Sequence, residues 1–342
     1  MKIIFDDTKI KESLWPLTAT RNAADIRIGI LTIREKWELL LSIFHGKVAE
    51  VKVDAAIIPS KKSLLSIAEN GEPVLSDDTD SNKTIQHPWD IFLLNDWAIR
   101  KDFELLTRGW QSQTIAATNT LIAPENIFVE EGASVECSVI NASTGPVYIG
   151  KDATVMEGCL IRGPFALCEG ATLKMGTKVY GATSIGPYCI AGGEIKNSIL
   201  IGYSNKAHDG YLGDSVIGEW CNLGAGTSNS NVKNTASEVK LWNNEAKEYT
   251  AVGIKAGLIM GDYSRAAINT SFNTGTVVGV CCNIFGEGFP PKLVNNFTWG
   301  KEKYNFEKAV QDIDNWKKLK EKNITANEIE ILKNLYKQSN KQ

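Results

Sequence analysis

Histidine is scarce in this chain of 342 residues, which carries only His45, His87 and His208. None of its seven cysteines forms a C-x-x-C pair, which removes the usual zinc-knuckle and dithiol redox motifs. Their number is odd, and Cys137, Cys159, Cys168, Cys189, Cys221, Cys281 and Cys282 all fall in the middle of the chain. Small buried thiols in a reducing cytoplasm fit this usage better than a secreted disulfide framework. No residues are assigned to a metal. A strong excess of either charge is missing too: the net charge of −3 leaves no electrostatic footprint for nucleic acid or an anionic membrane. No apolar run approaches the length of a membrane span, and the opening MKIIFDDTKIKES has no signal-peptide core. These absences predict a cytoplasmic globular protein, long enough for two domains, whose partners are small molecules.

What is present is a repeat. From Ile149 an aliphatic residue returns every sixth position, at Val155, Ile161, Leu167, Leu173, Val179 and Ile185. Neither the helical period of 3.6 nor the strand period of 2 produces that spacing. Glycines and small residues fall between the hits, as in IGKDAT and LKMGTK, which suits short strands joined by tight turns. A second register runs Met260, Ala266, Phe272, Val278, Ile284, and an earlier hexad spans Val129 to Val135. The pattern predicts a mainly β chain with a parallel β-helix over 125–290, roughly nine coils at three hexads per turn. The period slips at 197–213. A polar insertion at 226–253 is too long for a coil and is expected to project as a loop, often on the binding face.

The flanks differ. Residues 1–110 read as small and α/β: a strand at Lys2–Phe5, a helix at Thr32–Leu41, one or two strands in Val48–Ile58 and a linker helix over Pro88–Leu106. The stretch 76–86 reads as a solvated loop. Residues 300–342 turn helical, with Phe306, Val310, Ile313 and Trp316 at helical spacing and a capping box at Thr325–Glu328. Such helices are expected to close the end of the solenoid.

His45 and His87 sit in surface-like contexts. His208 lies where the period slips, within NKAHDGYLGDSVIGEWCNLGAGT. Around it, Lys196, His208, Tyr211, Leu212–Asp214, Ile217, Asn222, Leu223–Thr227 and Asn231 match a motif without a gap. On these residues the chain resembles the acetyltransferase half of GlmU-type bifunctional glucosamine-1-phosphate acetyltransferase/N-acetylglucosamine-1-phosphate uridylyltransferases, and their archaeal relatives. It looks most like the GlmU-like proteins of Bacteroidetes-type bacteria. The resemblance implies a left-handed β-helix, a homotrimer with sites between subunits, and acetyl-CoA as co-substrate. It further implies that His208 is the general base, that Lys196, Tyr211 and Asn222 bind the sugar phosphate, and that Ala225 and Asn231 face the acetyl-CoA thioester. The chemistry agrees. An ammonium cannot attack a thioester, so a neutral imidazole is a natural proton acceptor, and a phosphate calls for a cation. Ile268 departs from the pattern, standing where the family offers a serine to the coenzyme.

The stretch 12–37 resembles the opening of sugar-nucleotide pyrophosphorylases. Leu14–Thr18 supply L-x-P-L-T, but FDDTKIKES replaces the phosphate-cradling glycines and Ala23 stands where the family has a lysine. The region is about half the length of a full nucleotidyltransferase domain. Arg21 and Arg27, with Arg34 and Lys36, are left as candidate phosphate contacts, and magnesium would be needed only if this part were active. The leading expectation is an acetyl-CoA-dependent N-acetyltransferase acting on an amino-sugar 1-phosphate. The alternatives are a sugar-1-phosphate nucleotidyltransferase trimerised by its β-helix, and a non-catalytic scaffold.

Overall fold

The structure is a computed structural model that describes residues 2–43, 50–60 and 82–339. Most of it is a three-sided parallel β-helix. Six-, nine- and ten-stranded sheets form its faces, and the last strand of the ten-stranded face, Glu302–Lys303, returns antiparallel. Coil stacks on coil in register: Thr154 pairs with Thr172, and Thr172 with Ile190, eighteen residues on each time. This is the left-handed β-helix architecture expected from the repeat and the family resemblance.

Both sequence registers point inward. Every residue from Ile149 to Ile185 in the first, and from Met260 to Ile284 in the second, is buried in one continuous core. A two- or three-residue strand buries little alone; its side chain is enclosed by the coils above and below. The period slips because one coil is short: Ile190 pairs with Asn205 and Ala191 with Lys206, only fifteen residues later.

The insertion at 226–253 does not project as a free loop. Its first residues, Ser228–Asn229, still pair with Ser271–Phe272. The remainder folds as an antiparallel hairpin of Val239–Asn243 and Glu248–Gly253, with Val239 and Leu241 buried against Val277. Alternating apolar residues gave this segment a face to bury, outweighing its asparagines.

The N-terminal region follows its sequence closely. Lys2–Asp6 pairs in parallel with Glu50–Asp54, α1 covers Ile33–Ile43 and α2 covers Asp90–Thr107. Its described core is shared with the solenoid. Leu14, Leu17, Ile26, Ile28, Trp37 and Phe92 share one buried cluster with Ile199, Ile201, Val216 and Ile259 of the nine-stranded face. His45 and residues 76–81 of the expected loop lie outside the described residues. His87 is half-buried and stacks on Trp89 at 4.4 Å, so it is no simple surface residue.

Helices α3 (Phe306–Lys318) and α4 (Ala326–Ser339) form as expected, and Thr325 and Glu328 make the capping box reciprocally. They lie along one corner of the prism instead of closing only its end. Ala309, Ile313 and Leu332 pack on Trp220, Tyr263, Cys281 and Phe297, four corner residues that all hold positive φ. Tyr188, Tyr203 and Trp220 stack along that corner at 5.2 and 4.4 Å, giving the helices an aromatic ridge to cover. Six cysteines are buried and unpaired, while Cys137 is exposed. Among the described residues, no helix is long and apolar enough to cross a membrane.

Candidate active site

The six-stranded face carries Lys196 and Tyr211. Lys196 lies in Glu194–Lys196 and Tyr211 in the next strand, Tyr211–Gly213, where Glu194 pairs with Tyr211 and Lys196 with Gly213. The Lys196 ammonium stands over the Tyr180 ring at 5.7 Å from its centroid. No carboxylate forms an ion pair with it among the described residues, while Glu194 nearby accepts from the Tyr180 hydroxyl at 2.6 Å. That bond, with burial and the Glu194 charge, pushes the Tyr180 phenol up to about 12.

Asn231 joins this pair. Its Nδ2 donates to the Tyr211 hydroxyl at 3.1 Å and also to the Asp214 carboxylate. Asp214 turns the corner beside the face with positive φ and accepts a second bond, 2.7 Å, from Asn197 Nδ2. Burial first, then the Asp214 charge, raises the Tyr211 phenol well above its ordinary range, so it stays a neutral donor. Gly213 has a steric reason: a Cβ there would lie 2.3 Å from the Tyr211 hydroxyl. The Y-L-G-D run is therefore one local device, in which the glycine makes room for the ring and the aspartate fixes its neighbour.

His208 is exposed at the corner where the chain passes from the ten-stranded to the six-stranded face. Successive coils stack there. The corner of Gly192 and Gly193 lies beneath Ala207 and His208, because a Cβ on Gly192 would meet the Ala207 carbonyl at 2.4 Å. Above them Gly226 N donates to Asp209 O at 3.0 Å, and Asn269 N donates to Ala225 O at 2.7 Å. His208, Ala225 and Ile268 thus occupy consecutive steps of one column, with Ile268 69% exposed.

Asn222 stands apart. It lies on the ten-stranded face between Asn205 and Arg265, across the corner from Lys196 and Tyr211. The single chain therefore unites Lys196, Tyr211 and Asn231 on one face, sets His208 and Ala225 in the bordering corner, and leaves Asn222 on the next face. The sequence reading missed Tyr180, Glu194 and Asn197, and gave Asp214 a place in the motif without a role. Tyr180 and Lys196 are ladder partners, a relation that extending the hexad register would have exposed.

The other two candidates are elsewhere and differently engaged. Arg21 forms ion pairs with Glu219, at 3.0 Å, and with Asp262. Arg27 donates to Ile201 O at 3.3 Å and to Ile30 O, and its other nitrogen lies 3.5 Å from Glu35. Arg27 is buried and the Arg21 side chain is only 10% exposed, so both tie the N-terminal region to the solenoid instead of standing open to a nucleotide phosphate. Lys36 is buried against the buried Asp102, while the part-exposed Arg34 pairs with Asp25, so neither is left unpaired.

Residues 2–51 match the family model described as sugar nucleotidyl transferase. The chain is 32% identical over 148 residues to the bifunctional protein GlmU of Methanocaldococcus jannaschii, covering 43% of this chain and 34% of that protein. It is 27% identical over 223 residues to a bifunctional sugar-1-phosphate nucleotidylyltransferase/acetyltransferase of Sulfurisphaera tokodaii, 62% of this chain and 45% of the relative. The chain is GlmU-like. It spans between a third and a half of the length of these two curated relatives. Among solved structures, the Francisella novicida UDP-N-acetylglucosamine acyltransferase matches over 66% of this chain and 87% of its own, at 14% identity and a TM-score of 0.37.

Proposed function

We propose that this GlmU-like chain is a transferase that moves an acetyl group from acetyl-CoA to the amine of an amino-sugar 1-phosphate. The observation carrying the reading is the cluster of Lys196, Tyr211 and Asn231 on an open face bordered by the His208–Ala225 corner. Lys196 supplies the unpaired cation for the phosphate, and Tyr211 and Asn231 supply hydrogen bonds. The amine nitrogen attacks the thioester carbonyl, the new N–C bond replaces the C–S bond, and the thiolate departs. His208 takes the proton the amine sheds, a step worth roughly 10²–10⁴ in rate.

Asn222 completes the site from a neighbouring subunit in this reading, since in its own chain a corner separates it from Lys196 and Tyr211. A homotrimer supplies that arrangement. The six-stranded face has Ile122 and Leu160 exposed, whereas the N-terminal region covers the nine-stranded face and α3 and α4 cover a corner. Light scattering should give about three times 37.5 kDa. In this reading the protein is a cytoplasmic enzyme of sugar-nucleotide synthesis whose partners are small molecules, not nucleic acid or membrane.

Nucleotidyl transfer by the N-terminal region does not follow. Its cations are held in the ion pairs described above, Asp7 accepts from Ala23 N at 3.3 Å, and Asp6 pairs with Lys52 at 2.7 Å. These residues do not fit a magnesium–triphosphate complex. The deciding experiment is thiol release from acetyl-CoA across a panel of amino-sugar 1-phosphates. Release that depends on one of them supports the reading; none across the panel, with folded trimer, overturns it.

A further inference from the structure

The inward column of the ten-stranded face is aliphatic or small on both sides of the site, with Leu173 and Ala191 below and Leu223 and Ala266 above. Between them stands Lys206, 1% exposed and paired in register with Ala191. A lysine among stacked aliphatics is costly, because burial removes the ammonium's hydration. No carboxylate compensates by forming an ion pair among the described residues. The ammonium instead donates to two backbone carbonyls, Gly192 O at 3.1 Å and His208 O. Those carbonyls belong to successive coils at the corner where the coil is three residues short and its regular stacking is interrupted.

We propose that Lys206 is the positioning residue of the acyl-transfer site: its ammonium joins the Gly192 and His208 carbonyls and so fixes the backbone that carries the His208 imidazole. This rests on the acetyl-transfer reading, since it assigns Lys206 no contact with substrate. A general base must stand within hydrogen-bond reach of the proton it takes, and an exposed corner has little packing to hold it there. The glycines below cannot help, because a Cβ on Gly193 would already lie 2.8 Å from the His208 carbonyl. A buried cation beneath the turn holds the backbone from inside and leaves the imidazole open to solvent.

The test separates stability from activity. Lys206→Met restores an apolar column of similar volume, so the trimer should melt at the same or a higher temperature. Acetyl transfer should nevertheless lose about 10²-fold in kcat, the scale of an ångström's misplacement, with KM for the sugar phosphate within about twofold. Adding Lys206→Met to His208→Ala should cost nothing further, because Lys206 acts only through the base. Parent-like kcat in Lys206→Met, or a full additional loss in the double variant, overturns the proposal. Should Lys206→Met fail to fold, Lys206→Gln takes its place; its shorter amide cannot span both carbonyls, and parent-like kcat there is equally fatal. A parent-like His208→Ala would sink the acetyl-transfer reading on its own. The positioning claim is then judged by amide hydrogen exchange at residues 207–210, which must quicken about tenfold or more in Lys206→Met.

Discussion

The N-terminal region and the six-stranded face of the solenoid are both rich in cations, and they use them in opposite ways. Arg27 and Lys36 are buried, Arg21 is part-buried, and together with Arg34 they are held by carboxylates or carbonyls, two of these cations by groups on the solenoid itself. Lys196 is only part-buried and stands over an aromatic ring with no ion-pair partner among the described residues. A paired buried cation is a structural bond, while an unpaired one at a surface is available to a phosphate. The L-x-P-L-T stretch is part of the clamp instead: Leu14, Leu17 and Thr18 are fully buried in it.

The sharpest way to break this comparison is at His208. His208→Ala should lower acetyl transfer by roughly 10²–10⁴ while the melting temperature stays put, because the imidazole is exposed and makes no core contact. Unchanged turnover would leave the open face without chemistry.

Next in size is the clamp. Asp102 accepts from Ile30 N at 2.7 Å, Leu31 N at 3.0 Å and the Lys36 ammonium. Asp102→Ala would strand that ammonium and two amides in the interior, and should destabilise the fold by about 3–5 kcal/mol in denaturant melts. A loss below about 1 kcal/mol would mean that the N-terminal region is not clamped through this pair. The same variant, where folded, should retain the KM of the acetyl-transfer site.

Lys196→Ala should raise KM for the sugar phosphate about tenfold or more, on the scale of a charge-assisted hydrogen bond, and change kcat less. Arg21→Lys, by contrast, should leave KM unchanged and register in the melting temperature. If the two variants exchanged their phenotypes, the division between bonding and binding cations would be reversed.

The smallest effect is one of pH. Burial pulls the Lys206 ammonium down to about 8, against about 10.4 in an unfolded chain. Between those values the unfolded state binds more protons, so the destabilisation caused by the buried charge fades as pH rises. The melting-temperature advantage of Lys206→Met over the parent should therefore be largest near pH 7 and shrink towards pH 10. A constant gap across that range would show that Lys206 is not charged in its column.

Much of this was legible in the sequence because the information is local. A hexad needs only its own aliphatic residue and a turn, so Ile149 to Ile185 announce the coil before any folding is considered, and Thr325 with Glu328 announces a helix start. The motif around His208 is local in the same sense: Gly213 yields to Tyr211 and Asp214 to Asn231 within two coils. Where long-range packing governs, the sequence was silent or misleading. Nothing in TATRN says that Arg21 will meet Asp262, some 240 residues on, and the asparagines of 226–253 hid a hairpin whose Val239 and Leu241 needed a distant surface to bury. Lys206 is the sharpest case. Its letter looks like one more solvated lysine, and only the stacking of a short coil on its neighbours turns it inward beneath His208. Period and motif are fixed by bonds between near neighbours, but the fate of a charge depends on which carboxylate, carbonyl or water the finished fold brings to it.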